Sequence, residues 1–504
     1  MTLTQITRMP TGCPGLDHVL AGGLPEGRST LVSGTAGSGK TVLGLQFLHD
    51  GARDFDQAGV FLTFEERPAQ LRLNAASLGF DIATMEEQGK WTFVDASYNP
   101  DRDEQQVGPF DFGALLLRLR HAVESTGAKR VTLDSIGAVF TRYQDATTVR
   151  RELMRVTELL RELGVTAIVT SERAEEYGQI GRHGVEEFVC DNVMVLRNAL
   201  EQETRRRTIE VLKMRGVDHL TGEFPFTIVP RSGIVVITLE NTALNAPSAD
   251  ERIHSGLAEL DEMCNGGMFR DSINLVSGAT GTGKTLLVSE FTRGGASRGE
   301  RSLIFSFEES RSQLFRNAGG WGMDFAGLEA QGLLRIEAAY PEISSLEDHL
   351  VRIKTIVEEY KPHRIAIDSL SALERIAPER SYREFLIGLT AYIKHCQVAA
   401  LLTSSARNLL GATSVTDAHI STLTDMIMLL RYVEIGGAVR RGFMVLKLRG
   451  STHDKQIHEF VIGSNGMKIG APFRDVTGIL AGSPQRVAAL SEEYHDMSYM
   501  FDGD

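Results

Sequence analysis

Two glycine-rich stretches carry the most specific chemistry in the sequence. Gly34-Thr35-Ala36-Gly37-Ser38-Gly39-Lys40-Thr41 and Gly278-Ala279-Thr280-Gly281-Thr282-Gly283-Lys284-Thr285 both satisfy G-x-x-x-x-G-K-[ST], the phosphate-binding loop. Each follows an apolar run (Leu31-Val32, Leu275-Val276) and opens a helical pattern (Val42, Leu43, Leu45; Leu286, Leu287, Phe291). Glycines let backbone N–H groups close around phosphate oxygens, and the helix start adds partial positive charge. Lys40 and Lys284 are expected to reach the β/γ-phosphates of ATP. Thr41 and Thr285 are expected to ligate Mg²⁺.

Nucleotide hydrolysis needs acids as well. Asp134 ends the run Val131–Leu133, and Asp368 ends Ile365–Ile367. An acid after an apolar strand is the second Mg²⁺-associated group of such ATPases. The alternative is a helix N-cap, since Ser135 or Ser369 follows. Glu65-Glu66 and Glu308-Glu309 each follow an apolar run, and adjacent like charges at a strand end need a cationic neighbour. One Glu of each pair is the candidate general base; the alternative is a solvated loop acid. Lys213, Arg215, Lys447 and Arg449 close strands that run into Gly216 or Gly450. They read either as solvated strand ends or as fingers reaching the γ-phosphate of a neighbouring subunit, which requires a ring.

These residues must be positioned by a duplicated domain. Lys40 and Lys284 lie 244 positions apart, an offset that also pairs Asp17 with Asp261 and Gly22-Gly23 with Gly266-Gly267. Asp134 pairs with Asp368 at 234, as does Lys213-Met214-Arg215-Gly216 with Lys447-Leu448-Arg449-Gly450. Each copy alternates apolar runs with helical patterns such as Ala114–Val123 and Leu153–Leu163. Runs apolar throughout suit strands of a mostly parallel sheet buried on both faces, so the fold class is α/β, in two copies. The closing runs, Phe226-Thr227-Ile228 and Ile234–Ile237, look antiparallel. The expected boundaries are 1–240 for the first domain, 241–253 for a linker, 254–484 for the second domain and 485–504 for a flexible acidic tail.

Composition is that of a globular chain, 42% hydrophobic and 24% charged over 504 residues. The net charge of −13 weighs against a nucleic-acid binder, as does the lack of a long Lys/Arg-rich loop. The best basic turn is Thr204-Arg205-Arg206-Arg207, read as a solvated hairpin or seam contact. Cys13, Cys190, Cys264 and Cys396 make no metal-ligand spacing and read as buried thiols of a reducing cytosol. No signal-peptide core and no membrane-spanning apolar stretch occur, so a cytoplasmic location is expected.

Beyond the phosphate loops, the chain resembles the KaiC family of bacterial circadian-clock ATPases and autokinases, tandem RecA-like proteins. Stretches that carry the resemblance include Glu186-Glu187-Phe188, Leu260-Asp261-Glu262-Met263-Cys264, Ser306-Phe307-Glu308-Glu309-Ser310-Arg311, Trp321-Gly322-Met323-Asp324-Phe325, Ile367-Asp368-Ser369-Leu370-Ser371 and Asp417-Ala418-His419-Ile420-Ser421-Thr422. The resemblance implies a homohexamer of two stacked rings with ATP and Mg²⁺ as cofactors. Its first ring hydrolyses ATP slowly; its second phosphorylates its own Ser and Thr and removes the phosphate. Ser421 and Thr422 match the phosphorylated pair, and Thr416 a minor site. Glu308 matches the kinase general base and a Mg²⁺ contact. Trp321, Arg441, Lys447, Leu448 and Arg449 match nucleotide contacts of the second copy; Ser77, Lys213, Met214, Arg215, Asp218 and His219 fall at or beside those of the first. A KaiB-like partner on the first ring and a histidine-kinase output partner are implied. The aromatic, acidic end Tyr494–Phe501 does not match the tail bound by KaiA, so a KaiA-like partner is not carried over. At offset 234, Ser421 falls opposite Glu187 and Thr422 opposite Phe188, so the first copy has no acceptor hydroxyl there. Competing expectations are a nucleic-acid-dependent motor on the same core, or an ATP-assembled signalling scaffold with little catalysis.

Overall fold

The computed structural model describes residues 6–97, 112–140, 146–181, 186–201, 204–238, 250–405, 420–435, 437–474, 476–479 and 485–486. Thr416 and the tail beyond Arg486 lie outside them. The chain divides into two compact units, Met1–Glu240 and Asn241–Asp504.

The described residues of the first unit build a nine-stranded sheet. Its order is Gly233–Val236, Glu223–Val229, Thr204–Met214, Asn192–Glu201, Ser29–Gly34, Thr166–Glu172, Arg130–Asp134, Gly59–Thr63, Trp91–Asp95. The strands from Asn192–Glu201 to Trp91–Asp95 are parallel, and the remaining three join antiparallel. Every residue of Ser29–Gly34, Gly59–Thr63 and Arg130–Asp134 is buried, which is why these runs are continuously apolar rather than alternating. The second unit repeats this order with Ile273–Gly278 at the same central place, between Ala399–Ser405 and Met426–Ile435. Helices Lys40–Asp54 and Lys284–Ala296 pack on the sheets and bury Leu43, Phe47, Leu287 and Phe291 in the two cores. The two units are α/β domains in tandem, each with a phosphate loop after its central strand.

Several expectations are corrected. Arg252–Ile253, expected in the linker, pairs with Met268–Phe269, because Ile253 buries its side chain in the second core. Gln485–Arg486, expected in the free tail, pairs with Val476–Thr477. Thr204–Arg207, the basic turn read as a solvated hairpin or seam contact, opens the second strand of a hairpin with Asn192–Glu201. Its arginines are absorbed locally: Arg205 donates to Asn198 O at 2.8 Å and Arg207 to Gly37 O at 3.3 Å.

Candidate active site

The phosphate loops sit where a buried strand meets a helix. Gly39 and Gly283 precede the helices with φ of 97° and 110°, a left-handed conformation that favours glycine. Lys40 is buried, and its Nζ donates to Gly34 O and Thr35 O, both at 2.9 Å. Lys284 Nζ does the same to Gly278 O at 2.8 Å and Ala279 O at 3.0 Å. Burial pushes both ammonium groups below their usual range. Neither forms an ion pair among the described residues. A buried cation satisfied only by loop carbonyls is poised for an anionic ligand such as a polyphosphate.

Thr41 Oγ1 donates to Asp134 Oδ2 at 2.7 Å, and Thr285 Oγ1 to Asp368 Oδ2 at 2.7 Å. The other oxygen of each aspartate accepts from Thr170 or Thr403 on the adjacent strand, at 2.5 Å. The N-cap reading fails here, because both carboxylate oxygens face hydroxyls; the cap position of the following helix is Ser369, whose side chain makes no cap bond. Burial holds both aspartates above the usual carboxylate range.

The glutamate pairs split their duties identically in both units. Glu65 Oε1 accepts from Ser135 Oγ at 3.0 Å, and Glu308 Oε1 from Ser369 Oγ at 2.9 Å. Glu66 Oε2 accepts from Asn74 at 2.9 Å, and Glu309 Oε2 from Asn317 at 2.7 Å. Thr63 and Ser306 fix the turns by donating to the carbonyls of Glu66 and Glu309, both at 2.6 Å. Burial raises Glu65, Glu66 and Glu309, aided in Glu66 and Glu309 chiefly by the neighbouring aspartate's charge. Glu66 and Glu309 are half-buried, whereas Glu65 and Glu308 are exposed and held by their serines. The hydroxyl and carboxylate oxygens converge on the loop helix, a hard donor set that fits Mg²⁺. No group of three or more His, Cys, Asp or Glu that could hold a metal ion occurs among the described residues.

The basic strand ends lie elsewhere. Ile273–Gly278 and Met426–Ile435 are parallel, with Asn274 facing Met426 and Gly278 facing Leu430. The loop follows Gly278; Ser421 and Thr422, in the helix Ile420–Leu423, precede Met426. They therefore stand at the opposite end of the sheet from their own loop, separated by a strand of about 17 Å. Lys447 is bound there too, donating to Ser421 O at 2.6 Å and Thr424 O at 2.7 Å, while Arg449 donates to Thr422 O at 2.8 Å. Lys213 and Arg215 repeat this at Glu187 O, 2.7 Å, and Phe188 O, 3.5 Å. Met214 and Leu448 bury their side chains in the cores, so a nucleotide contact from either would come from backbone. Ser77 ends the helix Pro68–Ser77 and bonds Asn74 O at 2.7 Å; Asp218 is exposed and His219 half-buried beyond the far strand end. Trp321 packs partly buried on the second core, and Arg441 lies over the Tyr432 ring, whose hydroxyl reaches Thr280 O at 3.5 Å.

Sequence reasoning missed Thr170, Thr403, Asn74, Asn317 and Arg207. Only Arg207 carried a signal: it falls at offset 234 from Arg441, and it bonds its own phosphate loop. In the first unit Glu176 also bonds this loop, accepting from Thr35 Oγ1 at 2.6 Å.

Comparison with known proteins agrees with this geometry. The family model described as "ATPase: KaiC" matches residues 9–241 and again 253–473. The chain belongs to the KaiC family. It is 56% identical over 497 residues to the circadian clock protein KaiC3 of Synechocystis sp., covering 99% of this chain and 98% of that protein. It is 50% identical over 482 residues to the circadian clock oscillator protein KaiC of Synechococcus elongatus, covering 96% and 92%. A similar KaiC, from Thermosynechococcus vestitus, is 50% identical over 485 residues, covering 96% and 93%. Both units are thus KaiC ATPase domains, a family that binds ATP. No helix among the described residues is long and apolar enough to cross a membrane.

Proposed function

We propose that the protein is a KaiC-like homohexamer of two rings, cytoplasmic, whose first unit hydrolyses ATP and whose second unit transfers the γ-phosphate to Ser421 and Thr422 and later removes it, in a circadian or timer role. The supporting observation is the placement of Ser421 and Thr422 at the sheet end opposite their own phosphate loop. A hydroxyl so placed is out of reach of its own unit's loop, so in this reading the phosphate comes from the loop of another copy. Lys447 and Arg449, fastened to the same helix, would arrive at that seam with it and stabilise transition-state charge.

Each residue has a role in this reading. Lys40 and Lys284 neutralise phosphate charge. Thr41, Asp134 and the Glu65-Glu66 pair, and Thr285, Asp368 and the Glu308-Glu309 pair, would hold Mg²⁺ and its waters. The bound ion supplies charge neutralisation at the phosphates. Glu308, oriented by Ser369 and with Arg375 at 3.7 Å, takes the acceptor hydroxyl's proton. Glu65, in the same place of the first unit, activates water, since Glu187 and Phe188 offer no acceptor hydroxyl. A KaiB-like partner on the first ring and a histidine-kinase output partner belong to this reading; neither a KaiA-like partner nor nucleic acid does.

The test is incubation with Mg²⁺ and γ-labelled ATP, followed by phosphopeptide mapping. Label is expected on Ser421 and Thr422, and S421A/T422A is expected to lose it while still releasing ADP. Label persisting in the double variant sinks the assignment.

A further inference from the structure

The antiparallel ribbon that closes the second unit carries a groove of about 460 Å³ that the ATPase chemistry does not use. Arg440, Glu459, Val461, Lys468, Phe473 and Arg474 line it. Arg440 is balanced by Glu459 at 3.2 Å. Lys468 and Arg474 are exposed and have no ion pair among the described residues. Val461 is 57% exposed, so the surface between the cations is apolar. The duplicated fold does not require this arrangement. Lys468 pairs with Val461 in the second unit, whereas the corresponding pair of the first is Val235 with Thr227. The cation was therefore acquired, or kept, on the second copy alone.

Val476 lines the groove and pairs with Arg486. The chain thus leaves its last described strand at the groove's rim. Residues 487–504 continue from that rim and carry Glu492, Glu493, Asp496, Asp502 and Asp504 interleaved with Tyr494, Met497, Tyr499, Met500 and Phe501. An extended chain advances about 3.3 Å per residue, so the first acids can fold back onto Lys468 and Arg474 within a short loop. We infer that this groove is the docking site of the chain's own acidic, aromatic C-terminal segment. Its carboxylates face Lys468 and Arg474, and its aromatic side chains cover Val461 and Phe473. Tethering makes the local concentration of the segment high, so modest contacts suffice.

The test uses the full chain. A zero-length carbodiimide cross-linker should join the Lys468 amine to a carboxylate of residues 492–504, read by peptide mass spectrometry in a product that migrates as a single chain. In parallel, a fluorescent peptide of residues 487–504 is titrated against the native chain and against E492Q/E493Q/D496N/D502N/D504N. The neutralised chain should bind the peptide at least tenfold more tightly, because its groove is vacated. Adding K468E/R474E should weaken that binding at least tenfold, and raising salt should weaken it too. Equal binding to the native and neutralised chains would show the native groove free for an outside partner and overturn the inference. Failure of both to bind, or a cross-linked product of two chains, which would indicate a second copy, overturns it equally.

Discussion

Lys447 Nζ donates to the carbonyl oxygen of Ser421 at 2.6 Å, and both lie at the opposite end of the sheet from Lys284. One unit therefore holds the means of binding a phosphate at one end and a candidate acceptor at the other.

That separation predicts complementation between copies. K284A should lose label because it cannot hold nucleotide in its second unit. S421A/T422A should lose it for want of an acceptor. Co-assembled, the two should regain label, and only on the K284A chains. No label in the co-assembled mixture would show transfer within one chain and remove the case for a seam.

The Thr285–Asp368 bond predicts a catalytic defect without a folding defect. T285V keeps the side-chain volume and removes the hydroxyl that reaches Asp368. Phosphotransfer by the second unit should fall about 10²–10³-fold, the usual scale for one lost transition-state contact. The midpoint of thermal unfolding should stay close to that of the native chain. T41V should lower steady-state ADP release from the first unit in the same way.

Glu290 predicts a pH-dependent stability. It is fully buried on the loop helix and accepts from Met467 N at 2.9 Å, where the first unit places Gln46 against Ile234 N at 2.6 Å. Burial raises the Glu290 carboxyl above its usual range. A raised folded-state pKa gives a contribution present below the unfolded value and lost as pH rises through the folded one. E290Q titrates nowhere, so its advantage should be absent in acid and grow towards neutral pH, to about 1 kcal/mol. Melting curves from pH 4 to 8 read this out; an advantage independent of pH would contradict it.

Arg364 predicts a large structural loss. It is 1% exposed and donates to Glu300 at 2.6 Å and to the carbonyls of His254 and Phe291 at 2.6 and 3.1 Å. R364L leaves Glu300 with Arg270 alone, at 3.3 Å, and strands two carbonyls, at a cost of about 3–5 kcal/mol. Arg130, its counterpart, bonds the neutral Gln57 at 2.8 Å, so R130L strands no charge. Denaturant unfolding should therefore penalise R364L more than R130L.

Much of the candidate site was legible because its chemistry demands neighbours in sequence. A phosphate loop needs consecutive glycines followed by Lys and Thr, and the metal-side acid must end a buried strand. Duplication then doubled every signal. Thr170 and Thr403 were illegible for the converse reason. They are ordinary strand threonines, and they meet Asp134 and Asp368 only because parallel strands bring distant segments side by side. Asn74 and Asn317 likewise reach Glu66 and Glu309 from the following helix, by a turn of the chain that no local pattern marks.

The sequence by itself determined the tandem α/β architecture and marked the candidate phosphate loops and the acids beside them, because burial period and phosphate chemistry are written in adjacent residues. Only the tertiary structure decided which end of each sheet those residues occupy. The parallel register of Ile273–Gly278 with Met426–Ile435 sends Lys284 to one end and Ser421 with Lys447 to the other. Strand direction is fixed by hydrogen bonding between segments far apart in the chain, and that is information no single stretch contains.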